Sequence, residues 1–163
     1  MNMLINGQFR NSSTEETVAV YNPANGQLID TVPVASLEDV ELALRTSVVG
    51  KGKMKRLSSY QRYEILRNIS VLLKQNTEEL AKLLTQENGK PIKQTTAEVE
   101  CAAYIFESFA EEAKRITGTV IPIDAQPGNE RHFAYTIRQP IGTVAAIIPF
   151  NYPVELYAHK VAP

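Results

Sequence analysis

Tryptophan is absent from the 163 residues, cysteine occurs once and histidine twice. One thiol cannot close an intrachain disulfide, and its scarcity fits a reducing, cytoplasmic compartment. His132 and His159 each stand alone, with neither a metal-ligand partner nor a triad partner nearby in sequence, so no metal site is expected. Net charge is equally scarce, with 17 Lys and Arg against 18 Asp and Glu. That balance offers no field for nucleic acid or a membrane surface. No apolar run reaches the ~18 residues of a membrane span. The opening Met1-Asn-Met-Leu-Ile-Asn6 lacks the apolar core of a signal peptide. What remains is one ordinary domain's worth of chain, long enough for a core.

The first third reads as short strands followed by a helix. Met3 to Phe9 and Glu16 to Tyr21 are strand-like, separated by a polar turn from Arg10 to Thr14. Asn22-Pro-Ala-Asn-Gly26 is a turn signal, and Gln27 to Val32 completes a hairpin. Ser36 starts a helix, paired with Asp39 as in a capping box, and Leu37, Val40, Leu44 and Val48 follow at helical spacing. Gly50-Lys-Gly-Lys-Met-Lys-Arg56 reads as a flexible basic connector. Its glycines match no phosphate-loop spacing, so a solvated charge run is expected.

Three further helices are predicted. Ser58 or Ser59 caps the first, with Tyr63, Leu66, Ile69, Leu72 and Leu73 along one stripe. The second begins at Thr77 and Glu78, turns Leu80, Leu83 and Leu84 inward, and stops before Asn88-Gly89. Lys90 just beyond it suits the negative end of the helix dipole. The third runs from Gln94 to about Ile116. Cys101 lies inside it among Glu98, Glu100, Glu107 and apolar residues, a setting that disfavours a thiolate. It is read as core. Thr117 to Asn129 is a Gly- and Pro-containing loop, and His132 to Gln139 alternates like a strand.

The densest stretch comes last. Val144 to Ile148 is apolar, β-branched and bounded by Gly142 and Pro149, as expected of a strand buried on both faces of a parallel sheet. Asn151-Tyr-Pro153 then opens a helix running toward Pro163. Strand, turn and helix together make the unit that carries ligand sites in open α/β sheets. Asn151 has two readings at this point. Its side-chain oxygen caps the helix, or its amide donates to an oxyanion. Glu155 falls in the first turn, where a carboxylate favours the dipole.

The string Gln139-Pro-Ile-Gly-Thr-Val-Ala-Ala-Ile-Ile-Pro-Phe-Asn-Tyr-Pro153, followed by Lys160-Val-Ala-Pro163, resembles the aldehyde dehydrogenase superfamily. Asn22-Pro-Ala-Asn-Gly26 and Glu87-Asn-Gly-Lys-Pro91 are similar to further strings of that family. Phe150-Asn-Tyr-Pro153 is similar to the branch acting on lactaldehyde and, without phosphorylation, on glyceraldehyde 3-phosphate.

The resemblance implies an α/β fold class: the N-terminal part of the aldehyde dehydrogenase fold, with helices, the start of a Rossmann-like parallel sheet and an oligomerisation-arm strand. It divides the chain into 1–131, helices and hairpin of the NAD(P)-binding domain; 132–140, the arm strand; and 141–163, the first strand-turn-helix of the active-site region. From the residues alone, the arm strand could equally be one side of an internal hairpin. The resemblance also implies a cysteine thiolate adding to an aldehyde, hydride passing to NAD or NADP, and a glutamate-activated water releasing the acid. In that scheme Asn151 holds the oxyanion, worth about 3–4 kcal/mol per donor. Ile148, Pro149 and Phe150 line the nicotinamide end of the cofactor groove, and Lys160 serves as proton relay or structural cation. The full enzyme is implied to be a homo-oligomer acting on a small aldehyde.

On the same resemblance the nucleophile and base fall beyond Pro163. The chain is therefore expected to be an incomplete segment, inactive alone, its one parallel strand lacking a partner. The alternative is a non-catalytic α/β module acting by binding or subunit association.

Overall fold

A computed structural model describes all 163 residues. Its centre is a layer of four helices, reached through two N-terminal hairpins. The first hairpin pairs β1 (Met3–Ile5) with β2 (Gln8–Arg10). Asn6 and Gly7 turn it, with φ of 54° and 74°. Both φ values are positive, as a two-residue hairpin loop requires, and Asn-Gly tolerates this best. Met3 to Phe9, expected as one strand, is therefore two strands around a tight turn. The second hairpin pairs β3 (Thr17–Tyr21) with β4 (Leu28–Pro33) across the Asn22–Gly26 turn. There the Asn22 carbonyl accepts from Gly26 N–H at 2.8 Å, and its side chain accepts from Ala24 N–H at 2.9 Å.

Helix α1 spans Leu37–Arg56 and carries the expected capping box of Ser36 and Asp39. Asp39 does more than close that box. Its Oδ2 accepts from the backbone N–H of Ser36 (3.0 Å) and of Ser13 (3.1 Å), and from the Ser12 hydroxyl (3.0 Å). These bonds tie the segment after β2 to the start of the helix. The Ser36 and Ser13 N–H groups, in that order, hold the Asp39 carboxyl well below the usual carboxylate range. The basic stretch Gly50–Arg56, expected as a flexible connector, is helical. Lys and Met favour helix, two glycines cost only about 1 kcal/mol each, and the cations of the last turn suit the dipole.

Helices α2 (Ser59–Gln75), α3 (Thr77–Asn88), α4 (Ile92–Ala113) and α5 (Pro153–Val161) form the core layer, with α2, α3 and α5 all packed on α4. Ser58 caps α2, in a capping box with Gln61. Gly89 ends α3 with φ 80°. Only glycine fits there comfortably, because a Cβ would also lie 2.9 Å from Pro23 Cγ. Helix α4 is central because its apolar face recurs at helical spacing, burying Thr95, Glu98, Val99, Ala102, Ala103, Phe106, Ala110 and Ala113. Most of these are small, which lets neighbouring backbones approach closely. Phe106, Ala102, Ala158 and Ala162 form the innermost cluster, with Leu66, Ile69, Leu73 and Val154 packed around it.

The rest of the chain pairs little. A short sheet joins β5 (Val120–Ile121) to β6 (Ala134–Tyr135). Of the strand expected over His132–Gln139, only those two residues are strand, with the Thr136 N–H adding a bond to the Thr119 carbonyl. Phe133, Tyr135 and Ile137 are exposed. Val144 to Ile148 was expected as a doubly buried parallel strand, yet it belongs to no strand, and Ile147 is 88 % exposed. All three two-stranded sheets are antiparallel, so no parallel sheet has begun within these residues. The reason is that a strand satisfies its backbone through a neighbour, and none lies beside this one.

Candidate functional site

The turn at Phe150–Tyr152 joins the unpaired run to α5, and three separated parts of the sequence meet behind it. Asn88, the last residue of α3, donates from Nδ2 to the Phe150 carbonyl at 2.6 Å. Lys90 donates from Nζ to the Asn151 carbonyl at 3.1 Å. The same ammonium lies 3.6 Å from the Tyr152 ring centroid, a cation–π contact, and pairs with Glu98 of α4. Gly89, between Asn88 and Lys90, rests against Pro23 of the second hairpin. The strings around Asn22, Glu87 and Asn151 therefore converge on one spot.

Glu98 is the deepest member. Its side chain is fully buried and that of Lys90 only 12 % exposed. Oε1 of Glu98 accepts from the backbone N–H of Val154 at 2.9 Å and of Glu155 at 3.4 Å. A carboxylate on those first-turn donors complements the positive end of α5. Burying the ion pair is costly, but every partner is engaged, and no buried side-chain polar atom in the chain is left without a hydrogen bond.

This arrangement removes the helix-cap reading of Asn151. The N-cap position of α5 belongs to Tyr152 and has no side-chain cap bond, because Glu98 supplies the cap from another helix. Asn151 binds the layer through its carbonyl alone, and its amide is left exposed with both N–H donors uncommitted. In the three residues before it, Phe150 is 83 % exposed, Pro149 is exposed and Ile148 is half-buried. All three are apolar and uncharged, and they precede Asn151 directly in the chain. Lys160 lies in the last turn of α5. Seven helical steps from Pro153 rise about 10 Å, so its backbone stands well away from the Asn151 turn.

Sequence reasoning missed Lys90 and Glu98. Lys90 was expected to serve the α3 dipole, but it reaches forward to Glu98 and Asn151. Glu98 sits on the apolar face of α4 between Thr95 and Ala102, and a charged residue on a buried face is the signal that could have found it. Cys101 is half-buried, and its thiol is pushed upward by burial and by the nearby Glu155 and Glu98 carboxylates. That is the opposite of an activated nucleophile. No group of three or more His, Cys, Asp or Glu is arranged to hold a metal ion. No helix is long and apolar enough to cross a membrane.

The sequence profile of the aldehyde dehydrogenase family matches residues 9–163. A 3-sulfolactaldehyde dehydrogenase of Priestia aryabhattai is 39 % identical over 162 residues, covering 99 % of this chain and 33 % of that protein. A lactaldehyde dehydrogenase of Methanocaldococcus jannaschii is 40 % identical over 161 residues, covering 99 % and 33 %. Among solved structures, the NADP-dependent glyceraldehyde-3-phosphate dehydrogenase of Bacillus halodurans, complexed with NADP, superposes with a TM-score of 0.94 at 33 % identity, covering 99 % of this chain and 34 % of that one. The chain thus spans about a third of the length of the relatives it matches.

Proposed function

The chain belongs to the aldehyde dehydrogenase family, and from that premise we propose that it supplies the oxyanion-binding turn of an NAD(P)-dependent aldehyde oxidation. The observation that carries this reading is the uncommitted amide of Asn151 on a turn held from behind. When a thiolate adds to an aldehyde carbonyl, the carbonyl oxygen gains negative charge. A fixed neutral N–H donor stabilises that oxygen without reorganising. Asn can do this because its amide carries two donors and no charge of its own.

The apolar run Ile148, Pro149 and Phe150 suits the nicotinamide end of NAD or NADP. It is apolar and uncharged, Pro149 and Phe150 are exposed, and the Phe150 backbone is anchored by Asn88. When bound there, the nicotinamide supplies the hydride acceptor. Lys160 takes the remoter role of proton relay or structural cation. The exposed Phe133, Tyr135 and Ile137 support an arm that pairs with a second subunit, as a homo-oligomer requires. A cytoplasmic setting fits the single unpaired thiol.

The 163 residues alone carry no activated thiol, since Cys101 is their one cysteine and its environment suppresses the thiolate. They are expected to be catalytically silent with any aldehyde and either nucleotide. A small 2-hydroxyaldehyde is the substrate to assay first, because relatives are named for lactaldehyde and sulfolactaldehyde. In the longest polypeptide encoded by the gene, Asn151→Ala is expected to lower kcat about 10²–10³-fold with KM little changed. Unchanged kcat in that variant, or aldehyde-dependent nucleotide reduction by residues 1–163 alone, would count against the reading.

A further inference from the structure

We propose that Lys90 and Glu98 are positioning residues, a buried latch that holds the Phe150–Tyr152 turn so that the Asn151 amide faces away from the helical layer. The catalytic consequence rests on the oxyanion reading above, whereas the anchoring does not.

Five contacts define the latch. Lys90 Nζ binds the Asn151 carbonyl at 3.1 Å, stands over the Tyr152 ring at 3.6 Å and pairs with Glu98. Glu98 Oε1 takes the Val154 N–H at 2.9 Å, with the Glu155 N–H at 3.4 Å. Asn151, Tyr152, Val154 and Glu155 are thus each gripped through backbone or ring. That leaves the Asn151 side chain with nothing to do inside the layer. A surface cation serving the α3 dipole would need none of this, and it would not be 12 % exposed beside a fully buried carboxylate. The grip also comes from outside the segment it holds, across 61 residues for Lys90 and 56 for Glu98. The orientation of the turn is therefore set by α4 and the α3–α4 junction and not by its own sequence.

The test uses the isotopically labelled 163-residue chain with Lys90→Met, Glu98→Gln and Asn151→Ala. Lys90→Met and Glu98→Gln are expected to speed amide exchange at Val154 and Glu155 about tenfold or more, while Phe106 in mid-α4 keeps its protection. Both should also shift the Asn151 side-chain amide resonances. Asn151→Ala should leave the exchange of Val154 and Glu155 unchanged. Should Lys90→Met fail to fold because Glu98 is left unpaired, the double variant Lys90→Met/Glu98→Leu removes both charges. It should fold and still show the fast exchange. Lys90→Arg, which keeps a cation, should recover part of the protection.

Wild-type exchange at Val154 and Glu155 in both the single variants and the double variant would overturn the latch. In the longest encoded polypeptide, Lys90→Met is expected to lower kcat about 10²-fold. It should add little once Asn151 is already alanine, because the two act through one group. A loosened turn with kcat unmoved by Asn151→Ala would overturn the oxyanion reading and uphold the anchoring. A lowered kcat in Asn151→Ala with an undisturbed turn in Lys90→Met would do the reverse.

Discussion

Helix α4 and the run Val144–Ile148 are both apolar, and they end in opposite environments. α4 buries eight residues among three other helices, whereas Val144 and Ile147 are 64 % and 88 % exposed. The difference lies in where each finds partners for its backbone. A helix pairs its N–H groups with its own carbonyls four residues back, so α4 satisfies its backbone within itself. A strand must borrow a neighbour. Residues 141–149 lie in no strand and make no backbone–backbone hydrogen bond. An apolar pattern therefore specifies what a segment would bury, and the architecture decides whether it can.

Four measurements would break or sharpen that contrast. The largest effect belongs to the packed side. Phe106→Ala opens a cavity at the innermost cluster and is expected to cost about 3–5 kcal/mol, read as a lower urea midpoint. A loss under 1 kcal/mol would mean that the helical layer is not tightly packed.

Gly118→Ala comes next. A Cβ there would lie 1.7 Å from the Thr136 carbonyl oxygen, so the backbone must move and the β5–β6 pairing is expected to open. The Thr136 amide, which donates to Thr119 at 2.9 Å, should then exchange freely while the urea midpoint of the helices stays put. A fall in that midpoint would show that the short sheet supports the core after all.

The third effect is confined to acid. The depressed Asp39 carboxyl contributes stability that is complete above its unfolded value of about 3.9. That contribution is lost as pH falls below this value toward the folded pKa. The Ser13 and Ser36 amides should therefore lose protection factor only below about pH 4, and Asp39→Asn should loosen them at neutral pH. Equal protection at pH 3 and pH 6 would refute the linkage.

The smallest effect is the most telling for the comparison. Ile147→Ala is expected to change stability by less than about 0.5 kcal/mol. A cost above 1 kcal/mol that grows with protein concentration would show the run covered by another copy in solution.

Much of the fold was legible because its signals are short-ranged. Ser36 with Asp39 and Ser58 with Gln61 mark helix starts three residues apart, and Gly89 marks a stop by its own backbone preference. Gly50–Arg56 misled because two glycines and four cations look like a linker, although neither forbids a helix. Asn6-Gly7 was legible in principle, as the dipeptide that splits Met3–Phe9 into a hairpin. At the candidate site Asn151, Ile148, Pro149 and Phe150 were proposed from the sequence because they lie in one contiguous string. Lys90 and Glu98 were not, since nothing within eight residues of sequence joins either of them to the turn they hold.

The sequence by itself determined the helices, their caps, the tight turns and membership of the aldehyde dehydrogenase family. Each of these depends on residues a few positions apart or on one unbroken string. Tertiary structure alone decided that Glu98 caps α5 from α4, that Lys90 turns from the α3 dipole to Asn151, and that the amide of Asn151 stays free. It also decided that Val144–Ile148 lies bare. The physical reason is the same throughout. Helix and turn bonds close within the segment that encodes them, whereas the bonds across 56 and 61 residues exist only once packing brings their ends together.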